Sequence, residues 1–143
     1  MFGKARQGAA AYAQVGIDSG VLAANPHQLI VLLFEGALLA IDTALSHMRS
    51  GDLEGKGHSI SRAIEIVSSG LAASLDTGRG GEIAHNLAAL YNYIGRQLVA
   101  ANLNNDPAPL EEARRLLQQL KDAWSEIAHA PRLTAVSAVT TGA

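Results

Sequence analysis

Apolar side chains recur at intervals of three and four residues along most of this chain, a pattern typical of amphipathic helices. The clearest run follows two glycines, Gly80 and Gly81, and an acidic residue, Glu82. Its apolar positions are Ile83, Leu87, Leu90, Ile94, Leu98 and Ala101. Because these positions share one face, we predict a helix that packs among other helices.

Cap and breaker residues on either side of similar runs predict three further helices. Asn25 followed by Pro26 predicts the start of the first helix, and Gly51 its end. Pro107, after an asparagine-rich turn, predicts the start of the last one, which carries Trp124 on its core face. The predicted helices cover about 26–50, 52–76, 81–104 and 107–130.

Four helices of about 20 residues with short connections predict an all-α fold, an antiparallel up-down four-helix bundle over residues 25–130. Residues 1–24 are rich in alanine and glycine and show no sustained period, so we expect a flexible leader in which Tyr12 and Val15 are isolated apolar anchors. The small and polar residues 131–143 are expected to form a disordered tail.

Composition narrows the possible functions. The chain has 143 residues, enough for one domain with a real core, and no cysteine, so it has no disulfide or thiolate metal site. A net charge of −2 argues against nucleic-acid binding, which usually requires a basic patch. We see no signal peptide and no apolar run that approaches the roughly 20 residues of a membrane span. We therefore expect a cytoplasmic protein without membrane insertion.

The helices carry more apolar residues than one core face requires. Single exposed aliphatic residues are common on soluble proteins, but a set at helical spacing indicates a second contact face. Its occupant is the N-terminal segment, a second copy of the chain, or a foreign helix lying in a groove. The positions that fall off the core faces include Leu29, Leu32 and Leu39 on the first helix, Ile66 on the second, and Val99 and Leu103 on the third.

Two E-x-x-H motifs, Glu82–His85 and Glu126–His129, resemble the ligand pairs of di-iron bundles. However, His85, Glu126 and His129 are displaced from the core faces of their helices, and the other two helices provide no matching glutamate pair. We therefore predict solvated charges, with no metal and no cofactor. The chain also lacks the G-x-S-x-G, P-loop and H-E-x-x-H motifs, so we predict no enzyme activity. A metal-binding bundle or bundle enzyme remains the alternative.

Five segments of the chain carry a further signal in their order and spacing. They are Ala11–Gln14, Asn25–Ala37, Gly81–Tyr93, Arg96–Asn102 with Asn105–Asp106, and Leu120–Trp124. Together they resemble the flagellar secretion chaperones of the FliS type. Phe34 departs from that family, which commonly has a tyrosine there. The ring is kept and the hydroxyl is lost, so any partner contact that the family makes through this hydroxyl would not form here.

The resemblance implies a cytoplasmic helical bundle that binds the disordered C-terminal segment of flagellin. Such a chaperone prevents premature polymerisation and keeps flagellin competent for type III secretion. In the empty protein, Tyr12 and Val15 would then plug the flagellin groove. Whether the protein docks to the export gate stays open. Its oligomeric state also stays open between a monomer, a weak homodimer and a structural homodimer. The expected groove residues are Leu29, Leu32, Leu39, Ile66, Tyr91, Tyr93 and Val99.

Overall fold

The computed structural model of the chain describes residues 25–128, and these residues form helices without any strand. The helices are α1 (Pro26–Ser50), α2 (Leu53–Glu65), α3 (Thr77–Asn104) and α4 (Pro107–Ala128). Helix α2 continues directly into a π-helical segment, Ile66–Leu71, and then into a short 3₁₀ turn. The predicted all-α, four-helix fold is confirmed.

Local capping explains where the helices begin and end. The Asn25 side chain accepts hydrogen bonds from the backbone N–H groups of His27 and Gln28, at 3.1 and 3.3 Å. Gly51 ends α1 in the left-handed conformation, with φ at 78°, and Asp52 caps α2. These interactions connect near neighbours in sequence, so the sequence signals identify them directly.

Helix α3 has an irregular first turn. It begins at Thr77, four residues before the predicted start, after a cap at Asp76. Gly81 interrupts it with φ at 57° and ψ at −133°, a conformation that favours glycine. The regular part of α3 therefore begins at Glu82, as the two glycines before it indicate.

Each helix packs against its two neighbours around one core. Helix α1 lies between α2 and α4, and α3 also lies between α2 and α4, so α1 and α3 are diagonal across the bundle. Alanines among the buried residues allow the helices to approach closely. The side chains at the centre are Leu33, Phe34, Ala37, Ile41, Ala44, Ile60, Ala63, Val67, Ile94, Leu98, Ala101, Leu110, Ala113 and Leu117.

The prediction that Ile66 lies off the core was wrong, because its side chain is only 1% exposed. A Cβ atom placed on Gly36 would lie 3.4 Å from Cδ1 of Ile66, and one placed on Gly70 would lie 3.0 Å from Cδ2 of Leu33. The two glycines let α1 approach the end of α2 and its π-helical continuation closely. Gly36 leaves room for the side chain of Ile66, and Gly70 leaves room for that of Leu33. Ile66 therefore belongs to the α1–α2 contact and does not line an open surface.

Helix α1 is long and apolar enough, by length and composition, to cross a membrane, contrary to the expectation from the sequence. Core helices of soluble proteins meet the same criterion. Eight residues of α1 are buried against the other helices. Its composition is therefore accounted for by the bundle core.

Several predictions fall on residues 1–24 and 129–143 and lie outside the described residues. These are the flexible leader with its plug residues Tyr12 and Val15, the histidine His129, and the disordered tail.

Candidate partner-binding groove

An open groove of about 800 Å³ runs between α2 and α3. It follows α3 from Ala88 to Asn104, a length of about 24 Å at the rise of an α-helix. Most of its lining is aliphatic or aromatic. The lining residues are Ile64, Val67, Ser68 and Ala72 from the α2 side, and Ala88, Tyr91, Asn92, Gly95, Arg96, Val99, Ala100, Leu103 and Asn104 from α3.

The α3 wall of the groove exposes apolar side chains. Val99 is 44% exposed and Leu103 is 78% exposed. A Cβ atom added to Gly95, which lies one turn before Val99, would meet no atom within 4 Å. The wall therefore has two uncovered aliphatic residues beside a position that no side chain fills, as expected of a surface that receives a partner.

Tyr91 lies in the same groove but is almost buried, with 5% of its surface exposed. Burial raises the pKa of its hydroxyl to about 12, because desolvation disfavours the phenolate. The residue is therefore neutral at physiological pH. Tyr91 thus contributes an uncharged aromatic surface to the lining of the groove.

Arg96 forms the polar edge of the groove. One terminal nitrogen donates a hydrogen bond to Oδ1 of Asn92 at 2.7 Å, and the guanidinium carbon lies 6.0 Å from the centre of the Tyr93 ring. The distance to the ring is at the limit for a cation–π contact.

Tyr93 itself belongs to the α3–α4 junction. Its hydroxyl donates a hydrogen bond to Oε2 of Glu112 at 2.8 Å, while the side-chain amide of Gln97 donates to Oε1 of Glu112 at 2.8 Å. The hydrogen bond to Glu112 is the largest cause of a raised pKa for the Tyr93 hydroxyl. Tyr93 and Tyr91, close in sequence, thus serve different helix junctions.

The predicted groove residues therefore do not form one site. Tyr91 and Val99 line the α2–α3 groove. Leu39 is 67% exposed on α1, the helix diagonal to α3, and Leu29 and Leu32 on the same helix are half-buried. Ile66 is buried, and the leucines of α1 lie on another helix, so a position off the core face does not by itself place a residue in this groove.

The groove lining also includes four residues of α3 that the sequence pattern does not predict there, namely Ala88, Asn92, Gly95 and Arg96. They continue the stripe of Val99 and Leu103 toward the start of α3 at helical spacing. Steps of three and four residues backward from Val99 would have identified them, but a small or polar residue does not mark an apolar face.

The E-x-x-H motifs form no site within residues 25–128, where no three histidine or carboxylate side chains are close enough to hold a metal ion. Glu82, His85 and Glu126 are exposed. Nδ1 of His85 lies 3.0 Å from the carbonyl oxygen of Gly81, within its own helix.

Trp124 closes one end of the bundle instead of occupying its centre. The ring is half-buried against the core, stacks on His27 with centroids 4.6 Å apart, and donates a hydrogen bond from Nε1 to the His27 carbonyl oxygen at 3.0 Å. This interaction joins the end of α4 to the start of α1.

Lys56 is the one charged side chain that is buried among the described residues, with 5% exposed. Its Nζ donates hydrogen bonds to the carbonyl oxygen of Asn102 at 3.1 Å and to Oδ1 of Asn105 at 3.2 Å. A cation is favourable there because the carbonyl groups at the end of a helix carry partial negative charge. Lys56 thus fixes the end of α3 that carries Leu103.

Comparison with known proteins agrees with this helical architecture. Residues 8–131 match the model of a family described as flagellar protein FliS. The chain belongs to the FliS family. It is 48% identical over 120 residues to the flagellar secretion chaperone FliS of Salmonella typhimurium. The aligned residues cover 84% of this chain and 89% of that protein.

Two further FliS relatives show similar identity over nearly their whole length. The flagellar secretion chaperone FliS of Escherichia coli strain K12 is 43% identical over 129 residues, covering 90% of this chain and 95% of that protein. FliSB of Pseudomonas aeruginosa is 43% identical over 118 residues, covering 82% and 93%. The resemblance inferred from the five segments is confirmed, and with it membership of a family of chaperones for flagellar secretion.

Proposed function

We propose that this FliS-family chain is a non-catalytic cytoplasmic export chaperone that binds the C-terminal segment of flagellin in the α2–α3 groove. The observation that carries the proposal is the open apolar surface formed by Val99, Leu103 and the unfilled space at Gly95. Held there, the segment cannot pair with other flagellin molecules, so it remains unpolymerised and competent for export.

The dimensions of the groove suit a helical guest. A groove about 24 Å long accommodates about 16 helical residues, or between four and five turns. An amphipathic helix in an apolar groove contacts it through residues spaced three and four apart. Covering an exposed leucine contributes about 1.5 to 3 kcal/mol, part of which offsets the entropy lost when a disordered segment becomes ordered.

Helix α1 provides a second surface for the same client. Leu39 is exposed there, with Leu32 and Leu29 half-buried beside it. Disordered segments that fold on binding can wrap large surfaces. We propose that the flagellin segment fills the α2–α3 groove first and that the remainder of the segment reaches α1.

A titration with a flagellin C-terminal fragment tests the proposal. The variant Leu103→Gln changes the groove, and Leu53→Gln is its matched control, because both leucines are highly exposed and Leu53, at the start of α2, lies on neither proposed client surface. We expect Leu103→Gln to weaken binding about 10- to 100-fold, which corresponds to the burial of one leucine. We expect Leu53→Gln to leave binding nearly unchanged.

Two further readouts complete the test. The chaperone should delay flagellin polymerisation measured by light scattering, and its mixture with the fragment should gain helicity measured by circular dichroism. A wild-type protein that neither binds the fragment nor delays polymerisation would contradict the proposal. Equal affinity of wild type and Leu103→Gln would place the client on another surface.

A further inference from the structure

Arg96 is the only charged residue that lines the α2–α3 groove in the described part of the chain. The remaining lining consists of aliphatic residues, Gly95, Tyr91 and the neutral polar residues Ser68, Asn92 and Asn104. A single cation in an apolar lining distinguishes between guest segments in a way that apolar contacts do not.

The Arg96 side chain is held by its own helix. Asn92, four residues earlier, accepts a hydrogen bond from a terminal nitrogen at 2.7 Å, and the Tyr93 ring lies 6.0 Å from the guanidinium carbon. These contacts restrict the rotamers of a long side chain before any guest arrives. The entropy that a guest must remove on binding is correspondingly smaller.

Over the part of the chain that the structure describes, Arg96 has no carboxylate partner, unlike Arg114 and Lys121 of the same bundle. Arg114 pairs with Asp42 at 2.6 Å, and Lys121 lies 3.5 Å from a carboxylate oxygen of Glu35. Within residues 25–128, no carboxylate lies within ion-pair distance of Arg96. A guanidinium has five N–H donors in a planar fork, so donors remain after the bond to Asn92.

We propose that Arg96 is a specificity-determining residue that selects guest segments carrying an aspartate or glutamate beside their apolar stripe. The carboxylate of the guest would accept hydrogen bonds from the free donors of Arg96 while the apolar stripe covers Val99 and Leu103. A lysine or arginine at the same place of the guest would meet a like charge and be disfavoured. This inference rests on the proposed function, because it concerns the same groove and the same client.

The experiment measures the dissociation constant of a flagellin C-terminal fragment for wild type, Arg96→Gln and a control, Arg62→Gln. Arg62 is exposed on α2 and does not line the groove. We expect Arg96→Gln to weaken binding about tenfold, as for the loss of a charge-assisted hydrogen bond, and Arg62→Gln to leave it nearly unchanged. The affinity of wild type should also fall more steeply with salt than that of Arg96→Gln.

A double-mutant cycle identifies the guest residue. Aspartates and glutamates of the fragment are replaced one at a time by asparagine and glutamine, and each fragment is titrated against wild type and Arg96→Gln. We expect one replacement to weaken binding to wild type about tenfold and to have no effect on binding to Arg96→Gln. A charge exchange, with Arg96→Glu and lysine at that guest position, should then restore part of the affinity.

The outcomes separate the inference from the function on which it rests. If Arg96→Gln binds like wild type while Leu103→Gln binds more weakly, the role of Arg96 is overturned and the groove assignment stands. If no carboxylate of the fragment couples to Arg96, the inference is also overturned. If wild type does not bind the fragment at all, the proposed function fails, and the inference fails with it.

Discussion

Replacement of Gly95 by leucine is expected to raise the stability of this protein while lowering its affinity for flagellin. Gly95 lies inside α3, and a Cβ atom at this position meets no atom within 4 Å. A larger side chain can therefore extend into the groove without displacing any part of the bundle. Most substitutions that impair binding leave stability unchanged or lower it, so a change in opposite directions is diagnostic.

The two magnitudes follow from different principles. Glycine in a helix interior is less favourable than leucine by about 0.7 kcal/mol, so the free energy of unfolding should rise by about this amount. Binding should be weakened because the new side chain occupies space that the guest requires. Overpacking of this kind costs about 1 to 3 kcal/mol, which corresponds to a loss of about 5- to 150-fold in affinity.

Urea unfolding followed by circular dichroism gives the stability, and calorimetric titration with the flagellin fragment gives the affinity. Gly95→Ala should give the same stabilisation with a smaller loss of affinity, because it adds a single methyl group. Ala89→Leu is the matched control, since Ala89 is exposed on the same helix and does not line the groove. If Gly95→Leu is more stable but binds with unchanged affinity, or if Ala89→Leu loses as much affinity, the guest does not occupy the space at Gly95.

Two further predictions concern stability alone. Lys56→Met keeps the aliphatic stem but removes the hydrogen bonds to Asn102 and Asn105, so urea unfolding should show a loss of about 1 to 3 kcal/mol; an unchanged midpoint would mean that the end of α3 does not require the cation. The raised pKa of Tyr91, about 12 against 10.0 for the free side chain, means that the unfolded chain loses this proton first as the pH rises. Stability should therefore fall by about 2 kcal/mol between pH 10 and 12; Tyr91→Phe should show a correspondingly shallower decline, and equal slopes would contradict the assignment.

Features that depend on neighbouring residues in sequence could be predicted. Local residue types mark the caps at Asn25 and Asp52 and the break at Gly81. Each cap bonds to backbone groups within four residues, and the break needs only the backbone freedom of glycine. The core faces of α1 and α3 also follow from periodicity, because a packed helix must bury one face. These signals are sufficient for the fold class and the helix count.

Features that depend on which helices are neighbours could not be predicted. Lysine is typical of exposed positions, but Lys56 is buried. The burial depends on a hydrogen bond to Asn102, which is 46 residues away in sequence. Tyr93 is explained only by Glu112 on the next helix. The burial of Ile66 likewise depends on Gly36, which faces it from α1. A helical projection of one segment contains none of this information.

The contrast between the glycines explains why the groove lies beside α3. At the α1–α2 junction, Gly70 faces the side chain of Leu33, and Gly36 faces Ile66, so the absence of a side chain on one helix is compensated by a large one on the other. At the α2–α3 junction, no side chain approaches the position of Gly95. The same residue type thus closes one junction and leaves the other open, and the difference is whether the chain supplies a facing side chain. Since Val99 remains exposed beside this gap, the α2–α3 junction keeps an opening that the chain itself does not fill, and the proposed guest would supply the missing side chain.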